Sequence, residues 1–227
     1  MLACLTSICE HNGKNMSNSL RTSYLGTAYY RMLQTHLLNR IQKCGLTANQ
    51  LTVLGVTTAV LVPLGFMVHP IAGLLLLTAS GVADSLDGLM ARHQHQASKF
   101  GAFLDSSLDR LSDSFYLLGF WLLLWPDPRR MTATLLVFTA LLLTLMTSYV
   151  KARAESLGTN CPSGVMDRAV RVIYLIAWAL LICLMPSAGS ALLWIGLIIY
   201  IALTMATLIH RIIHVRRLLL DSRFPKP

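Results

Sequence analysis

Long apolar runs constrain the fold of this chain more than any other feature of its sequence. A helix needs about 20 apolar residues to cross a hydrocarbon core of about 30 Å, and six runs are long enough. Breaks that combine Pro or Gly with polar residues favour helix ends between them. The 13% share of charged residues is well below the quarter or so found in soluble domains, which excludes an ordinary soluble fold. We predict an all-α polytopic membrane protein with six transmembrane helices at 47–68, 71–92, 99–124, 131–154, 165–186 and 189–212.

The distribution of basic residues predicts how these helices cross the membrane. Lys and Arg collect in short cytoplasmic loops, and sixteen of the nineteen lie in segments that share one side of the predicted bundle. Arg129 and Arg130 fall on the other side. Both termini are therefore predicted to be cytoplasmic, and a compact chain of this kind fits a prokaryotic inner membrane.

The N-terminal segment differs in composition from the apolar runs. Residues 19–45 mix Leu and aromatic residues with Arg, Gln and His, which is typical of an amphipathic helix on the membrane surface. We predict three parts: a cytoplasmic N-terminal segment at 1–45 that includes this interfacial helix, a membrane domain at 46–218 and a cytoplasmic tail at 219–227.

Carboxylates are concentrated at the cytoplasmic ends of the second and third predicted spans. Asp84 and Asp87 share one helix face, as do Asp105, Asp109 and Asp113 on the next helix, because residues three or four apart are neighbours on a helix. Such groups repel one another, and each is costly within a membrane unless it is compensated. One or two divalent cations would compensate them. Hard oxygen ligands without a Cys or His pattern favour Mg²⁺, Mn²⁺ or Ca²⁺.

Three other interpretations of these aspartates stay open at this point. Arg92, Lys99 and Arg110 could form a buried ion network with them, although three cations cannot neutralise five acids. A cation transporter also has intramembrane carboxylates, but it predicts acids spread over several spans near the bilayer centre. A lipid-binding scaffold without catalytic activity would not need the full set.

Small residues accompany the aspartates and indicate a bulky ligand. Gly88 and Gly101 remove side chains where a ligand could approach the backbone, and Ala91 keeps the same helix face narrow. Arg92 supplies a planar set of donors suited to phosphate. Together with metal ions, these residues predict a phosphate-rich substrate.

The spacing D-x2-D-G-x2-A-R-x8-G-x3-D-x3-D over residues 84–109 resembles the signature of the CDP-alcohol phosphotransferase family at every fixed position. The stretch L-T-A-N-Q-L-T at 46–52 is similar to a second element of that family, with Ala48 where proline is common. The resemblance implies a homodimeric membrane transferase that moves a substituted phosphoryl group from a CDP-linked donor to an alcohol and releases CMP.

The resemblance also implies roles for the motif residues. Asp84, Asp87 and Asp105 would be ligands of two Mg²⁺ or Mn²⁺ ions, and Asp109 would be the general base and a further metal ligand. The donor nucleotide would bind to seven residues, namely Asn49, Thr52, Asp84, Gly88, Ala91, Arg92 and Gly101.

Basic residues near the inner ends of the fourth and fifth spans indicate the acceptor. Positive-inside topology alone would account for them, but Ser148 and Lys151, like Arg168 and Arg171, are three residues apart and share a helix face. The stretches at 148–158 and 167–171 resemble elements of phosphatidylinositol-phosphate synthases, the second without its usual Pro-Glu. With a further Arg implied by the same resemblance, the acceptor phosphate would bind to Ser148, Lys151, Arg153, Arg168, Arg171 and Arg211.

The implied reaction transfers a phosphatidyl group from CDP-diacylglycerol to a phosphorylated polyol, with inositol 1-phosphate as the expected acceptor. The alternative is a phosphatidylglycerophosphate synthase, which uses glycerol 3-phosphate and would share the metals, the base and the phosphate pocket. Membrane lipids are further expected partners, and no nucleic-acid partner is expected.

Overall fold

The computed structural model describes residues 47–93, 99–159 and 164–221, and its regular elements there are all helical. Six α-helices follow one another: α1 Ala48–Val68, α2 Pro70–His93, α3 Lys99–Leu124, α4 Arg130–Ser156, α5 Arg168–Leu184 and α6 Gly189–Asp221, with a 3-10 turn at Pro186–Ala188 before α6. The all-α prediction is confirmed over this part of the chain. The predicted N-terminal segment with its interfacial helix and the end of the tail lie outside the described residues.

Local sequence signals account for several helix ends. α1 begins with a capping box, in which Thr47 Oγ1 accepts a hydrogen bond from Gln50 N and the Gln50 side chain accepts one from Thr47 N. Two N–H groups that would lack partners at the helix start are thereby satisfied. α4 ends at Ser156, and Gly158 follows with a φ of 76°, a left-handed conformation that glycine adopts without steric cost.

Two helices differ from the predicted spans. α5 begins at Arg168 rather than at 165, because the residues before it are bonded elsewhere. Gly164 N donates to Asp167 Oδ1, and Met166 N donates to Thr207 Oγ1 of α6. α6 runs nine residues past its predicted end, since no Pro or Gly interrupts that stretch.

Four described stretches are long and apolar enough to cross a membrane, judged by length and composition: Asn49–Val68, Pro70–Met90, Arg130–Ser156 and Pro186–Leu220. α3 is long enough but carries several charged residues, and α5 has 17 residues. These features support a polytopic membrane protein. The crossing of the membrane by α3 and α5 stays a prediction.

The helices pack around an aromatic core. α1 lies against α2 and α3, α4 against α3 and α6, and α5 against α2 and α6. Phe120 of α3 stacks on Trp178 of α5 with ring centroids 4.1 Å apart, and Phe66 of α1 packs against Phe120 at 5.3 Å. Aromatic side chains therefore join α1, α3 and α5 in the centre of the bundle.

A polar contact ties α6 to the end of α3 that lies farthest from the aspartates. Asp127, in the turn between α3 and α4, accepts 2.8 Å hydrogen bonds from Trp194 Nε1 of α6 and from Arg129 N. The Trp194 bond is the main cause that lowers the pKa of Asp127 to about 2. Because folding lowers its pKa, the ionised Asp127 carboxylate stabilises the fold at pH values above the ordinary pKa of aspartate. This stabilisation is lost as the pH falls from the ordinary pKa toward the lowered one.

Trp178 leaves no room for a side chain on the facing part of α6. A Cβ at Gly196 would collide with the Trp178 indole, whereas a Cβ at Gly189 would meet no described atom within 4 Å. Gly196→Ala is therefore expected to lower the free energy of unfolding by about 1–3 kcal/mol through overpacking. The measurement is the midpoint of thermal unfolding in detergent. Gly189→Ala is the matched control, and equal midpoints for the two variants would contradict the close packing.

Candidate active site

Three of the predicted metal ligands converge where α2 ends and α3 begins. One carboxylate oxygen from each of Asp84, Asp105 and Asp109 lies within 4.8 Å of the other two. Oxygens at this spacing can surround one cation, because metal–oxygen distances are about 2.0–2.6 Å. Since all the donors are hard carboxylate oxygens, the group fits Mg²⁺ or Mn²⁺ better than zinc.

Asp87, the fourth aspartate of the signature, lies in the wall of the same cavity with a partner from α1. Its Oδ2 accepts a 2.7 Å hydrogen bond from Thr52 Oγ1, and its side chain is buried. Carboxylates that bind metals are commonly oriented by such bonds. The contact therefore fits a ligand role and connects α1 to the site.

The cavity beside the carboxylates is lined by α1, α2, α3 and the first residue of α5. At its buried end the Ser80 hydroxyl donates to Gly55 O at 2.6 Å, and Tyr116 OH lies 2.7 Å from Ser80 Oγ. Since the one hydroxyl hydrogen of Ser80 is used on Gly55, Tyr116 is the donor in the second contact. The cavity thus has carboxylates near its open side. At its buried end, the hydroxyls of Ser80 and Tyr116 are already hydrogen-bonded.

Arg168, the first residue of α5, connects the two helices that carry the carboxylates. Its guanidinium lies 2.7 Å from Asp84 Oδ2 and 2.9 Å from Asp109 Oδ1. The side chains of Arg168, Asp84 and Asp109 are 25%, 31% and 19% exposed. The two carboxylates therefore share one cation, and this contact is open to solvent.

Among the side chains that the structure describes, the cation beside the aspartates comes from a distant part of the sequence. Arg110 donates to Ser106 O on its own helix, and the side chains of Arg92 and Lys99 lie outside the described part of the chain. Arg168 follows Asp84 by 84 residues. No local pattern could pair residues so far apart.

Two further ion pairs lie deeper in the bundle. Arg171 Nη2 is 2.7 Å from Asp113 Oδ2, and Arg211 Nη2 is 2.5 Å from Asp167 Oδ1. The four side chains are between 2% and 8% exposed. Arg171 and Arg211, both expected at the acceptor phosphate, are thus buried and bound to carboxylates. Nothing in the sequence pattern indicates Asp167 as a partner.

The predicted acceptor residues of α4 lie next to these pairs. Arg211 donates to Thr147 O at 2.7 Å, which holds α6 against α4 one residue before Ser148. Ser148 Oγ donates to a carbonyl of the preceding helical turn at 3.3 Å. Lys151 is half-buried and Arg153 is exposed. The end of α4, the start of α5 and the part of α6 around Arg211 are therefore joined to one another, and Arg168 places a cation at the carboxylates.

Two of the seven predicted nucleotide-binding residues, Thr52 and Asp84, line the cavity. Three others, on the same ends of α1, α2 and α3, are exposed or half-buried, namely Asn49, Gly88 and Gly101. The remaining two are Ala91 and Arg92, whose side chains lie outside the described part of the chain.

The sequence pattern of the CDP-alcohol phosphatidyltransferase family matches residues 45–206. An archaetidylinositol phosphate synthase of Methanothermobacter thermautotrophicus is 40% identical over 139 residues, which cover 61% of this chain and 68% of that protein. A phosphatidylinositol phosphate synthase of Mycobacterium tuberculosis is 34% identical over 165 residues, which cover 69% of this chain and 73% of that protein. The range matched by the family contains the four signature aspartates and Arg168.

Two crystal structures of a Mycobacterium tuberculosis phosphatidylinositol phosphate synthase are similar to this one. The structure with CDP-DAG bound has a TM-score of 0.66 and 28% identity, with 79% of this chain and 91% of that chain covered. The structure in complex with manganese and citrate has the same TM-score and identity, with 80% and 88% covered. A protein of similar fold is thus seen with CDP-DAG in one crystal and with manganese in another.

Proposed function

The chain belongs to the CDP-alcohol phosphatidyltransferase family, and from this premise we propose that it transfers the phosphatidyl group of CDP-diacylglycerol to a hydroxyl of inositol phosphate. The reaction releases CMP and forms phosphatidylinositol phosphate. The observation that carries the proposal is the group of Asp84, Asp105 and Asp109 beside a cavity and basic helix ends. Such a site combines ligands for metal ions with donors for phosphate.

The carboxylates fit a metal-dependent transferase. Asp84, Asp105 and Asp109 would hold a Mg²⁺ or Mn²⁺ ion, and Asp87 beside them would complete the ligands of a second. Ions of this kind neutralise a pyrophosphate and stabilise the charge on a leaving phosphate. The manganese in the structure of a similar protein supports the assignment.

We assign the role of general base to Asp109. Its carboxylate lies beside those of Asp84 and Asp105 and is 19% exposed, so a ligand can reach it. A carboxylate that removes the proton of the acceptor hydroxyl makes that oxygen a stronger nucleophile. The oxygen then bonds to the donor phosphorus as the bond from phosphorus to the CMP oxygen breaks.

The acceptor phosphate would bind at the basic ends of α4, α5 and α6. Arg168 supports this, because it is partly exposed, lies beside the proposed base and has a buried Nε without a hydrogen-bond partner among the described residues. Arg171 and Arg211 each have an Nε of the same kind, and Ser148, Lys151 and Arg153 lie on the neighbouring end of α4. A guanidinium binds phosphate through two parallel hydrogen bonds.

The donor nucleotide would lie against the adjoining ends of α1, α2 and α3. The residues that the family resemblance implies would contact it there, namely Asn49, Thr52, Asp84, Gly88, Ala91, Arg92 and Gly101. The acyl chains would stay in the bilayer, against the exposed apolar side chains of the helices. The pyrophosphate could then reach the carboxylates without the lipid leaving the membrane.

For the membrane arrangement, we propose that all six helices cross a prokaryotic inner membrane, with both termini and the site on the cytoplasmic side. Asp109 and Asp113 of α3 pair with Arg168 and Arg171, and such pairing lowers the cost of carboxylates within a membrane span. Most of the Lys and Arg residues in the described part of the chain lie at the same end, as positive-inside topology requires. A homodimer is proposed from family membership.

An acceptor panel tests the reaction. With CDP-diacylglycerol and Mg²⁺, the purified protein is expected to release CMP about 100-fold faster, or more, with inositol 1-phosphate than with free inositol, because two charge-assisted hydrogen bonds of about 1.5–3 kcal/mol each depend on the phosphate. CMP is quantified and the lipid product is identified by its mass.

Glycerol 3-phosphate is the matched acceptor in this panel, since it keeps the phosphate and lacks the ring. A preference for it would identify a phosphatidylglycerophosphate synthase instead. Activity with free inositol or serine, and none with either phosphorylated acceptor, would contradict the phosphate site.

A further inference from the structure

We propose that Asp167 is a positioning residue that holds Arg211 of α6 in place for the acceptor phosphate. The inference rests on the proposed function, because it concerns the phosphate site described there. Arg211 keeps its role as a phosphate donor in that site, together with Arg168 and Arg171. Asp167 acts on the phosphate through Arg211.

The side chain of Asp167 does not cap the helix that it precedes. Asp167 is the N-cap residue of α5, where an aspartate ordinarily accepts a hydrogen bond from an N–H of the first helical turn. Among the described residues its carboxylate makes no such bond. Its Oδ1 instead accepts from Gly164 N at 3.1 Å and from Arg211 Nη2 at 2.5 Å. The local structure thus directs this carboxylate to α6 rather than to its own helix.

Arg211 is held through two of its three side-chain nitrogens. Nη2 donates to Asp167, and Nη1 donates to Thr147 O at 2.7 Å. Nε is buried and has no hydrogen-bond partner among the described residues. The N–H groups of a guanidinium lie in one rigid plane, so two anchored nitrogens determine where the third one points. Asp167 therefore helps to set the direction of the N–H group that is left for the phosphate.

Burial of the ion pair makes this orientation specific. The side chains of Arg211 and Asp167 are only 3% and 8% exposed. A buried charge is costly unless it is paired, so Arg211 cannot turn away from Asp167 toward solvent. A phosphate can still bind Nε without breaking either existing contact.

The short segment before α5 is packed directly on α6. Met166 N donates to Thr207 Oγ1 of α6 at 3.0 Å. A Cβ at Gly164 would collide with Thr207 Cγ2, so the backbone of the segment lies close to the helix. Asp167 is therefore fixed relative to α6 and can act as a rigid support for Arg211.

The variant Asp167→Asn tests this role. Asn is a favoured N-cap residue and keeps the shape of the carboxylate, so the variant is expected to fold, but it lacks the charge that holds Arg211. The KM for inositol 1-phosphate is expected to rise about 10- to 100-fold, the cost of a small displacement of a binding group, while the donor KM changes by less than about twofold. The inhibition constant of inorganic phosphate, which probes the phosphate site without a polyol, is expected to rise by a similar factor.

Asp127→Asn is the matched control, because Asp127 also accepts hydrogen bonds from a backbone N–H and from a side chain of α6, at the opposite end of the bundle. It should leave both constants unchanged. Should Asp167→Asn fail to fold, Gly164→Ala keeps both charges of the ion pair but forces the segment away from Thr207, and it is expected to raise the same two constants. Gly189→Ala, whose Cβ would meet no described atom within 4 Å, is its control.

A double-mutant cycle with Arg211→Ala tests whether Asp167 acts through Arg211. Once Arg211 is absent, Asp167→Asn is expected to add nothing to the acceptor KM. Additive losses, or a wild-type acceptor KM in folded Asp167→Asn, would overturn the inference. So would a loss that leaves the inhibition constant of inorganic phosphate unchanged, since it would indicate a direct contact of Asp167 with the polyol. If Arg211→Ala alone leaves the acceptor KM unchanged, the proposed phosphate site fails instead, and the two failures are thereby distinguished.

Discussion

Asp109→Asn is expected to lower kcat for phosphatidyl transfer by about 10²- to 10⁴-fold, the range that a general base contributes. The amide keeps the shape of the carboxylate but cannot accept the proton of the acceptor hydroxyl. Arg168 retains its contact with Asp84, so the change should leave the outer part of the site in place. CMP release under saturating CDP-diacylglycerol, acceptor and Mn²⁺ is the measurement.

Binding measurements distinguish this loss from a loss of ligands. CDP-diacylglycerol is expected to bind the Asp109→Asn variant with nearly wild-type affinity, and high Mn²⁺ concentrations should not restore turnover. Asp127→Asn is the control, because it makes the same chemical change at the opposite end of α3. Near-normal turnover of Asp109→Asn, or full rescue by Mn²⁺, would remove Asp109 from the role of base.

Removal of divalent ions is expected to stop CMP release, and Mg²⁺ or Mn²⁺ should restore it. The donor pyrophosphate and the neighbouring carboxylates are all anionic, so without metal ions the donor is repelled and the charge on leaving CMP is not stabilised. Asp84→Ala should resemble the chelated protein at every metal concentration, because it removes one of the three converging carboxylates. Electron paramagnetic resonance measures the loss of Mn²⁺ binding and gives a readout that does not depend on turnover.

Glu155→Ala is the matched control for Asp84→Ala. Glu155 is an exposed acid near the inner end of α4, so its removal should change neither Mn²⁺ binding nor the metal dependence of CMP release. CMP formation that persists in excess chelator would refute the metal-dependent mechanism. Wild-type Mn²⁺ affinity in Asp84→Ala would exclude that residue as a ligand.

Local patterns in the sequence predict the helices and the shared faces of the aspartates. The capping box at Thr47 and the Pro and Gly residues between the apolar runs lie within a few residues of the helix ends that they determine. The spacing of Asp105 and Asp109 places both on one face because a helical turn takes about 3.6 residues. Such relations depend on residues close together in the chain, so they can be predicted from the sequence alone.

The rotation of one helix relative to another depends on packing between segments far apart in the chain. It therefore cannot be predicted from local sequence patterns. Phe120 against Trp178 determines how α3 faces α5, and this packing brings Arg168 to Asp84 and Asp109. The sequence alone therefore indicates that Arg168 is basic and near the cytoplasmic face, but not that two carboxylates share it. The late start of α5 has a similar origin, since Met166 is bonded to a hydroxyl of α6.

α6 is attached to its neighbours near its start, through Trp194 to Asp127, and again ten residues before its end, through Arg211 to Asp167. At about 1.5 Å of rise per residue, the helix between these attachments is about 26 Å long, close to the thickness of a bilayer core of about 30 Å. A helix secured at two points cannot tilt independently of its bundle to match a thinner or thicker membrane. When the hydrophobic length of α6 differs from the bilayer thickness, we therefore expect the surrounding lipid to thin or thicken rather than the helix to tilt.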